Sequence, residues 1–83
     1  EAHVTNVGVL PEYRGEGVGE FLMRSLIAAA KERGANMMTL EVRKSNYVAQ
    51  NLYSKLGFEP IGIRRGYYMD DREDAVIMLK EPL

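Results

Sequence analysis

Residues 3–26 read HVTNVGVLPEYRGEGVGEFLMRSL, and the change of period inside this stretch decides the fold. Residues 3–10 are rich in β-branched side chains, set Val7 and Val9 against Val4 and Leu10, and stop at Pro11. That is the pattern of a strand with both faces partly covered. From Val18 the spacing turns helical, and Val18, Phe21, Leu22, Leu26 and Ala29 form the expected inward stripe. Between the two lies the bend Arg14-Gly15-Glu16-Gly17-Val18-Gly19. Glycines between a strand and a helix let several backbone N–H groups face outward at the positive end of the helix dipole, which makes an anion cradle. Gly17 and Gly19 remove Cβ atoms where a phosphate approaches, and Arg14 adds a positive charge at the mouth. Taken alone, a Gly-x-Gly is also compatible with a plain tight turn.

Further along, residues 37–43 (MMTLEVR) return to a period of two, with Met38, Leu40 and Val42 on one face and Thr39, Glu41 and Arg43 on the other. Ser45 or Asn46 can cap a second helix whose expected stripe is Val48, Leu52 and Leu56, flanked by Ala49 and Tyr53 and stopped by Gly57. Residues 58–63 and 75–79 read as two more strands, joined by a polar stretch, 64–74, with Met69-Asp70-Asp71-Arg72 as turn material. In the first helix Glu20 and Arg24 make an i,i+4 pair, Lys31 and Arg33 suit the negative end, and Gly34 stands where a left-handed cap is wanted.

The resulting order is βαβαββ, an α/β chain with a mixed sheet. Two strand-helix-strand units predict parallel pairing through right-handed crossovers, and the last two strands predict an antiparallel hairpin. This topology puts the glycine bend at the carboxyl ends of the parallel strands, where open α/β sheets place ligands.

Composition narrows the chemistry. Eighty-three residues make one domain at most, and 11 Lys+Arg against 12 Asp+Glu leave a formal charge of −1. A duplex-binding module normally carries a basic excess, so nucleic acid is not an expected partner. With no Cys and one His, a disulfide framework, a cysteine nucleophile and a thiolate or histidine metal cluster are all excluded, and no metal is expected. The solitary His3 receives no role. No apolar run approaches the ~18 residues of a membrane span and no signal-peptide pattern opens the chain, so a cytoplasmic setting without a membrane partner is expected. A chain near this size buries only about 60 to 65% of its unfolded surface, which makes help from a partner plausible. The opening Glu1-Ala2-His3, beside a strand and without Met, is what a segment of something longer would show.

Three phosphate-loop types compete for the bend, and spacing separates them. A mononucleotide P-loop needs Gly-Lys followed by Ser or Thr, whereas Glu20 follows Gly19. The dinucleotide fingerprint needs G-x-G-x-x-G or A. From Gly15 and Gly17 the third position is Glu20, and from Gly17 and Gly19 it is Leu22. Glu41 at the end of the second strand imitates the ribose-binding acid, so a dinucleotide-binding module stays open as a distant alternative.

The third type is a resemblance. Arg14-x-x-Gly17-x-Gly19 after Val7-Gly8-Val9-Leu10-Pro11 resembles the acetyl-coenzyme A pyrophosphate loop of the GNAT N-acetyltransferase superfamily. Leu40-Glu41-Val42-Arg43, Ser45-Asn46, Ala49, Leu52-Tyr53, Leu56-Gly57-Phe58, Ile63-Arg64-Arg65-Gly66-Tyr67-Tyr68 and Glu73-Asp74-Ala75 are similar to its RimI branch, the ribosomal-protein alanine N-acetyltransferases. The likeness covers the whole chain but only the C-terminal half of the family domain, so residues 1–83 are expected to be a single partial domain. Its first strand would present an unpaired edge, and self-association or a missing N-terminal half is the expected partner.

The resemblance implies acetyl-CoA as co-substrate and a protein or peptide N-terminus as acceptor. It implies that backbone groups of Val7, Gly8 and Val9 pair with the pantetheine arm and that Gly15, Glu16, Gly17, Val18, Gly19 and Glu20 wrap the pyrophosphate, with Arg14 beside it. Asn46 would touch the cofactor, although a helix cap accounts for it as well. An α-amine with a pKa near 7.7 to 8.0 is only about a tenth neutral at pH 7, so transfer needs a base. The resemblance gives that role to Glu41, which is otherwise a solvated strand-end carboxylate or a partner for Arg43. Tyr53 would protonate the departing thiolate and is otherwise a core tyrosine. Tyr67 and Tyr68 would hold the substrate's N-terminus and are otherwise an aromatic loop pair. An alternative function is a catalytically incomplete fragment that binds only coenzyme A or a complementary half.

Overall fold

The computed structural model describes residues 2–4 and 17–83. The expected strand 3–10 and the bend therefore fall mostly outside the described residues, including Val7, Gly8, Val9, Arg14, Gly15 and Glu16. The described elements run β1 (Ala2–Val4), α1 (Val18–Glu32), β2 (Met38–Arg43), α2 (Tyr47–Lys55), β3 (Glu59–Arg64) and β4 (Ala75–Lys80). This is the expected βαβαββ order.

The sheet order is β1-β2-β4-β3. β1 runs parallel to β2, with Val4 opposite Leu40, as a crossover through α1 requires. β3 and β4 form the antiparallel hairpin. The second strand-helix-strand unit departs from expectation, because β4 inserts between β2 and β3 and pairs antiparallel with β2, Glu41 opposite Ile77. The sequence explains the exchange. Ala75, Val76 and Met78 are buried and need neighbours on both sides, whereas β3 carries Pro60, which lacks an N–H for a ladder, and a register shift between Pro60 and Gly62. Such a strand belongs at an edge.

Both helices pack on one face of the sheet. Met38, Leu40 and Val42 of β2 and Val76 and Met78 of β4 meet Met23 of α1 and Tyr53 and Leu56 of α2, with Phe58 filling the space beside them. The helical stripes are phased differently from expectation. In α1 the buried residue is Met23, with Ile27 and Ala30 against the core, while Phe21 is 69% exposed and Leu22 and Leu26 are also exposed. In α2 Val48 is exposed and the inner face is Ala49, Leu52, Tyr53 and Leu56. Each helix is apolar around more than one arc, so two i, i+3, i+4 solutions exist and tertiary packing selects between them.

The helix ends follow their local chemistry. Gly34 at φ +88° closes α1, with the Ala35 N–H donating to the Ala30 carbonyl at 3.0 Å. A left-handed residue there suits glycine. Asn46, not Ser45, caps α2, its Oδ1 accepting from the Ala49 N–H at 3.1 Å. No described helix is long and apolar enough to cross a membrane.

Candidate active site

Glu41 lies near the carboxyl end of β2, and strand alternation turns it away from Leu40 and Val42, onto the face opposite the helices. It is only 5% exposed. A solvated strand-end carboxylate is therefore not what this chain contains. Burying a carboxylate is costly unless polar groups meet it. The Tyr67 hydroxyl donates to Oε1 at 3.4 Å, and Arg64 Nε stands 3.6 Å from Oε2. Tyr67 enters from the loop 65–74 that joins β3 to β4, and Arg64 ends β3. The hairpin thus folds over the carboxylate.

Arg43, two residues beyond Glu41, faces the same loop. Its guanidinium is shared among Asp70 (2.8 Å), Asp71 (3.0 Å) and Glu73 (3.4 Å) and lies 4.0 Å from the centre of the Tyr68 ring. The hydrogen bonds that Arg43 donates to Asp70, then to Asp71 and Glu73, raise its pKa further above its ordinary value. Reciprocally, the Asp70 carboxyl is held below the usual carboxylate range by Arg43. Glu73 is lowered first by hydrogen bonding to Ser45, whose backbone N–H donates to Oε2 at 2.7 Å. Tyr68 meets Tyr67 edge to face, centroids 5.1 Å apart, and burial pushes its phenol upward.

Tyr53 lies on the other face, among the core side chains, 4% exposed and 6.0 Å edge to face from Phe58. Burial raises its phenol pKa, with a smaller contribution from Tyr68. The phenol is therefore protonated throughout the neutral range, the state a proton donor must start from.

At the other end of the site, α1 opens at Gly17, φ +75°, followed by Val18, Gly19 and Glu20 in its first turn. A glycine N-cap offers no side-chain acceptor to the first N–H groups, which suits an anion at the positive end of the dipole. Glu20 turns its carboxylate away to Lys55 of α2 (2.8 Å) and Arg24 (2.9 Å). Lys55 first, then Arg24, lowers its pKa. Among the described residues no group of three His, Cys, Asp or Glu is placed to hold a metal.

The structure thus gathers Glu41, Arg43, Arg64, Tyr67 and Tyr68 on one side of the sheet and leaves Tyr53 on the other. Asn46 borders an open cleft with Arg43, Ser45, Tyr47 and Val48. The contact between Arg64 and Glu41 and the Arg43 cluster were not anticipated. Three acidic residues within Asp70–Glu73 were the available signal, but only the hairpin shows which cation they meet.

The chain is thus an α/β protein with a mixed sheet, both described helices on one face, a glycine-opened first helix and a buried carboxylate on an inner strand. The chain belongs to the Acetyltransferase (GNAT) family, whose sequence model matches residues 1–58. It is 51% identical over 78 residues to a protein of Bacillus subtilis, an alignment covering 94% of this chain and 52% of that protein. The crystal structure of the ribosomal-protein-S18-alanine N-acetyltransferase from Escherichia coli superposes with a TM-score of 0.80 at 43% identity, covering 96% of this chain and 54% of that one. Arabidopsis thaliana Naa50 in complex with the bisubstrate analogue CoA-Ac-MVNAL gives 0.81 at 28% identity, covering 95% and 53%. The chain spans about half the length of these relatives. The family match displaces the dinucleotide-binding reading.

Proposed function

We propose that the chain carries the acetyl-CoA site and catalytic carboxylate of a protein N-terminal α-amine acetyltransferase of the ribosomal-protein-alanine type, working in the cytoplasm. The observation that carries this reading is Glu41, a buried carboxylate on the central strand under the Tyr67 hydroxyl. Relatives that match nearly the whole chain support the donor and the acceptor, since the Escherichia coli protein acts on a ribosomal-protein alanine and the Arabidopsis protein binds a CoA-peptide conjugate.

Bound acetyl-CoA supplies the thioester. The Gly17 to Glu20 turn, together with Arg14, Gly15 and Glu16, would hold the pyrophosphate, and Val7, Gly8 and Val9 would bind the amide-bearing arm. Asn46 caps α2 and touches the same arm. Glu41 accepts the proton of the attacking amine, directly or through one water, on one face of β2. Tyr53 delivers a proton to the departing thiolate from the helix face. Tyr67 and Tyr68 flank the acceptor's N-terminus.

A second reading has its own support. The exposed Phe21, Leu22 and Leu26 of α1, and a chain half the length of its relatives, fit a piece that needs a second copy or a complementary half before it turns over.

The two readings separate in one experiment. Acetyl-CoA is titrated calorimetrically, and an alanine-starting peptide is then incubated with chain and donor and weighed by mass spectrometry. A gain of one acetyl group on the peptide α-amine, lost by ~10² or more in Glu41→Gln with donor binding retained, supports the first reading. Donor binding without turnover supports the second, and parent-level turnover in Glu41→Gln removes the base assignment.

A further inference from the structure

We infer that Arg43 is the positioning residue of the acceptor side: it latches the loop 65–74 so that Tyr67 and Tyr68 stand as a wall over Glu41, against which the acceptor peptide docks. This rests on Glu41 being the base.

Three observations converge on Arg43. Its guanidinium is forked: Nη2 donates to both carboxylate oxygens of Asp70 at 2.8 and 3.0 Å, and Nη1 to both of Asp71 at 3.0 and 3.1 Å, with Glu73 at 3.4 Å. A planar fork satisfies two carboxylates at once, which an ammonium on a flexible stem cannot do with the same geometry. Its π face then covers the Tyr68 ring at 4.0 Å. Finally, the backbone beneath it is pinned from α2, where Gln50 Nε2 donates to the Arg43 and Lys44 carbonyls at 3.0 and 2.9 Å.

The consequence runs in one direction across the site. The carboxylates hold Arg43, Arg43 supports Tyr68, Tyr68 meets Tyr67 edge to face, and the Tyr67 hydroxyl reaches Glu41. Among the described residues, Arg43 is the cation that pairs with all three carboxylates of the loop, Asp70, Asp71 and Glu73. That loop also holds Arg72 at φ +60°, a conformation costly for a residue with a Cβ, which the fold must impose from outside. Among the described residues, the side-chain partners of Arg43 lie in the loop 65–74 and none lies in Gly17–Glu20, so its loss should act on the acceptor more than on the donor.

The test compares the parent, Arg43→Met, Arg43→Lys and the double variant Asp70→Asn/Asp71→Asn, which breaks the same latch from the exposed side should Arg43→Met fail to fold. Amide exchange is followed at Gly66, Tyr68 and Arg72, whose N–H groups donate within the hairpin at 2.9, 3.2 and 2.9 Å. Affinity for coenzyme A alone, and for an alanine-starting peptide in the presence of coenzyme A, is measured by calorimetry. The expected result is exchange at least tenfold faster at those amides, peptide affinity at least tenfold weaker and coenzyme A affinity within twofold, with Lys only partly restoring the parent. Unchanged exchange in both latch variants overturns the inference, and so does a loosened loop with undiminished peptide affinity, or a parent that shows no peptide affinity at all. Failure of Glu41→Gln to lower turnover is a separate result, and it removes the base without touching the exchange or the peptide affinity.

Discussion

Lys55 Nζ, in the last turn of α2, meets Glu20 Oε1, in the first turn of α1, at 2.8 Å. This pair ties the turn proposed to hold the pyrophosphate to the helix that carries Tyr53. Both side chains are partly solvated, so the contact is screened by salt. Lys55→Met is expected to lower the thermal midpoint slightly at low ionic strength, with the difference from the parent shrinking at 1 M salt. Paired melting curves at the two salt concentrations check it.

The phase of α1 is testable by cavity energetics. Met23 is 1% exposed and Phe21 is 69% exposed. Met23→Ala should cost about 2–5 kcal/mol, whereas Phe21→Ala should stay within about 0.5 kcal/mol. Urea unfolding of both variants measures the difference. Comparable losses would restore the stripe that periodicity alone predicts.

Asn46 has two proposed duties that separate by substitution. Loss of its bond to the Ala49 N–H in Asn46→Ala should cost about 1 kcal/mol, while Asn46→Ser keeps a capping oxygen. If Asn46 also touches the donor, Ser should leave stability near the parent and still weaken acetyl-CoA binding several-fold by calorimetry.

Acid should open the loop before it unfolds the core. Asp70 and Glu73 have folded pKa values below their ordinary ones, Asp70 through Arg43 and Glu73 through Ser45. The contribution of such groups is present above the unfolded carboxylate range, near 4, and is lost as pH falls through the folded values. Amide exchange at Tyr68 and Arg72, corrected for intrinsic rate, should accelerate below about pH 4 while the far-ultraviolet circular dichroism is still native. No such separation is expected in Asp70→Asn/Asp71→Asn, whose loop is already loose.

Tyr53 carries the opposite sign. Its phenol pKa is raised, mainly by burial, so stability declines as pH rises from the ordinary tyrosine range, near 10, towards the folded value. Tyr53→Phe should keep the fold, flatten this alkaline decline and lower acetyl transfer by ~10² if the phenol protonates the thiolate. A variant with parental turnover would leave Tyr53 as a core residue only.

Several features were legible in the chain because they are local. The element order, the Gly34 stop, the Glu20–Arg24 pair, a cap at the start of α2 and the alternation that separates Glu41 from Leu40 and Val42 depend on neighbours within a few residues. The family likeness was also carried by short motifs, from the glycine bend to Gly66-Tyr67-Tyr68, and the family match agrees with it.

Tertiary structure decided what local spacing leaves degenerate. Which apolar arc of α1 faces inward, and whether β4 or β3 lies beside β2, follow from how the whole sheet buries its side chains, a sum over residues far apart in the chain. The same holds for charge. Sequence set Arg43 and Glu41 two positions apart, but only the closure of the hairpin brought Asp70, Asp71 and Glu73 to the one and Tyr67 and Arg64 to the other. Ion pairs depend on distance through space, and a chain reversal between residues 43 and 70 fixes that distance where no sequence interval can.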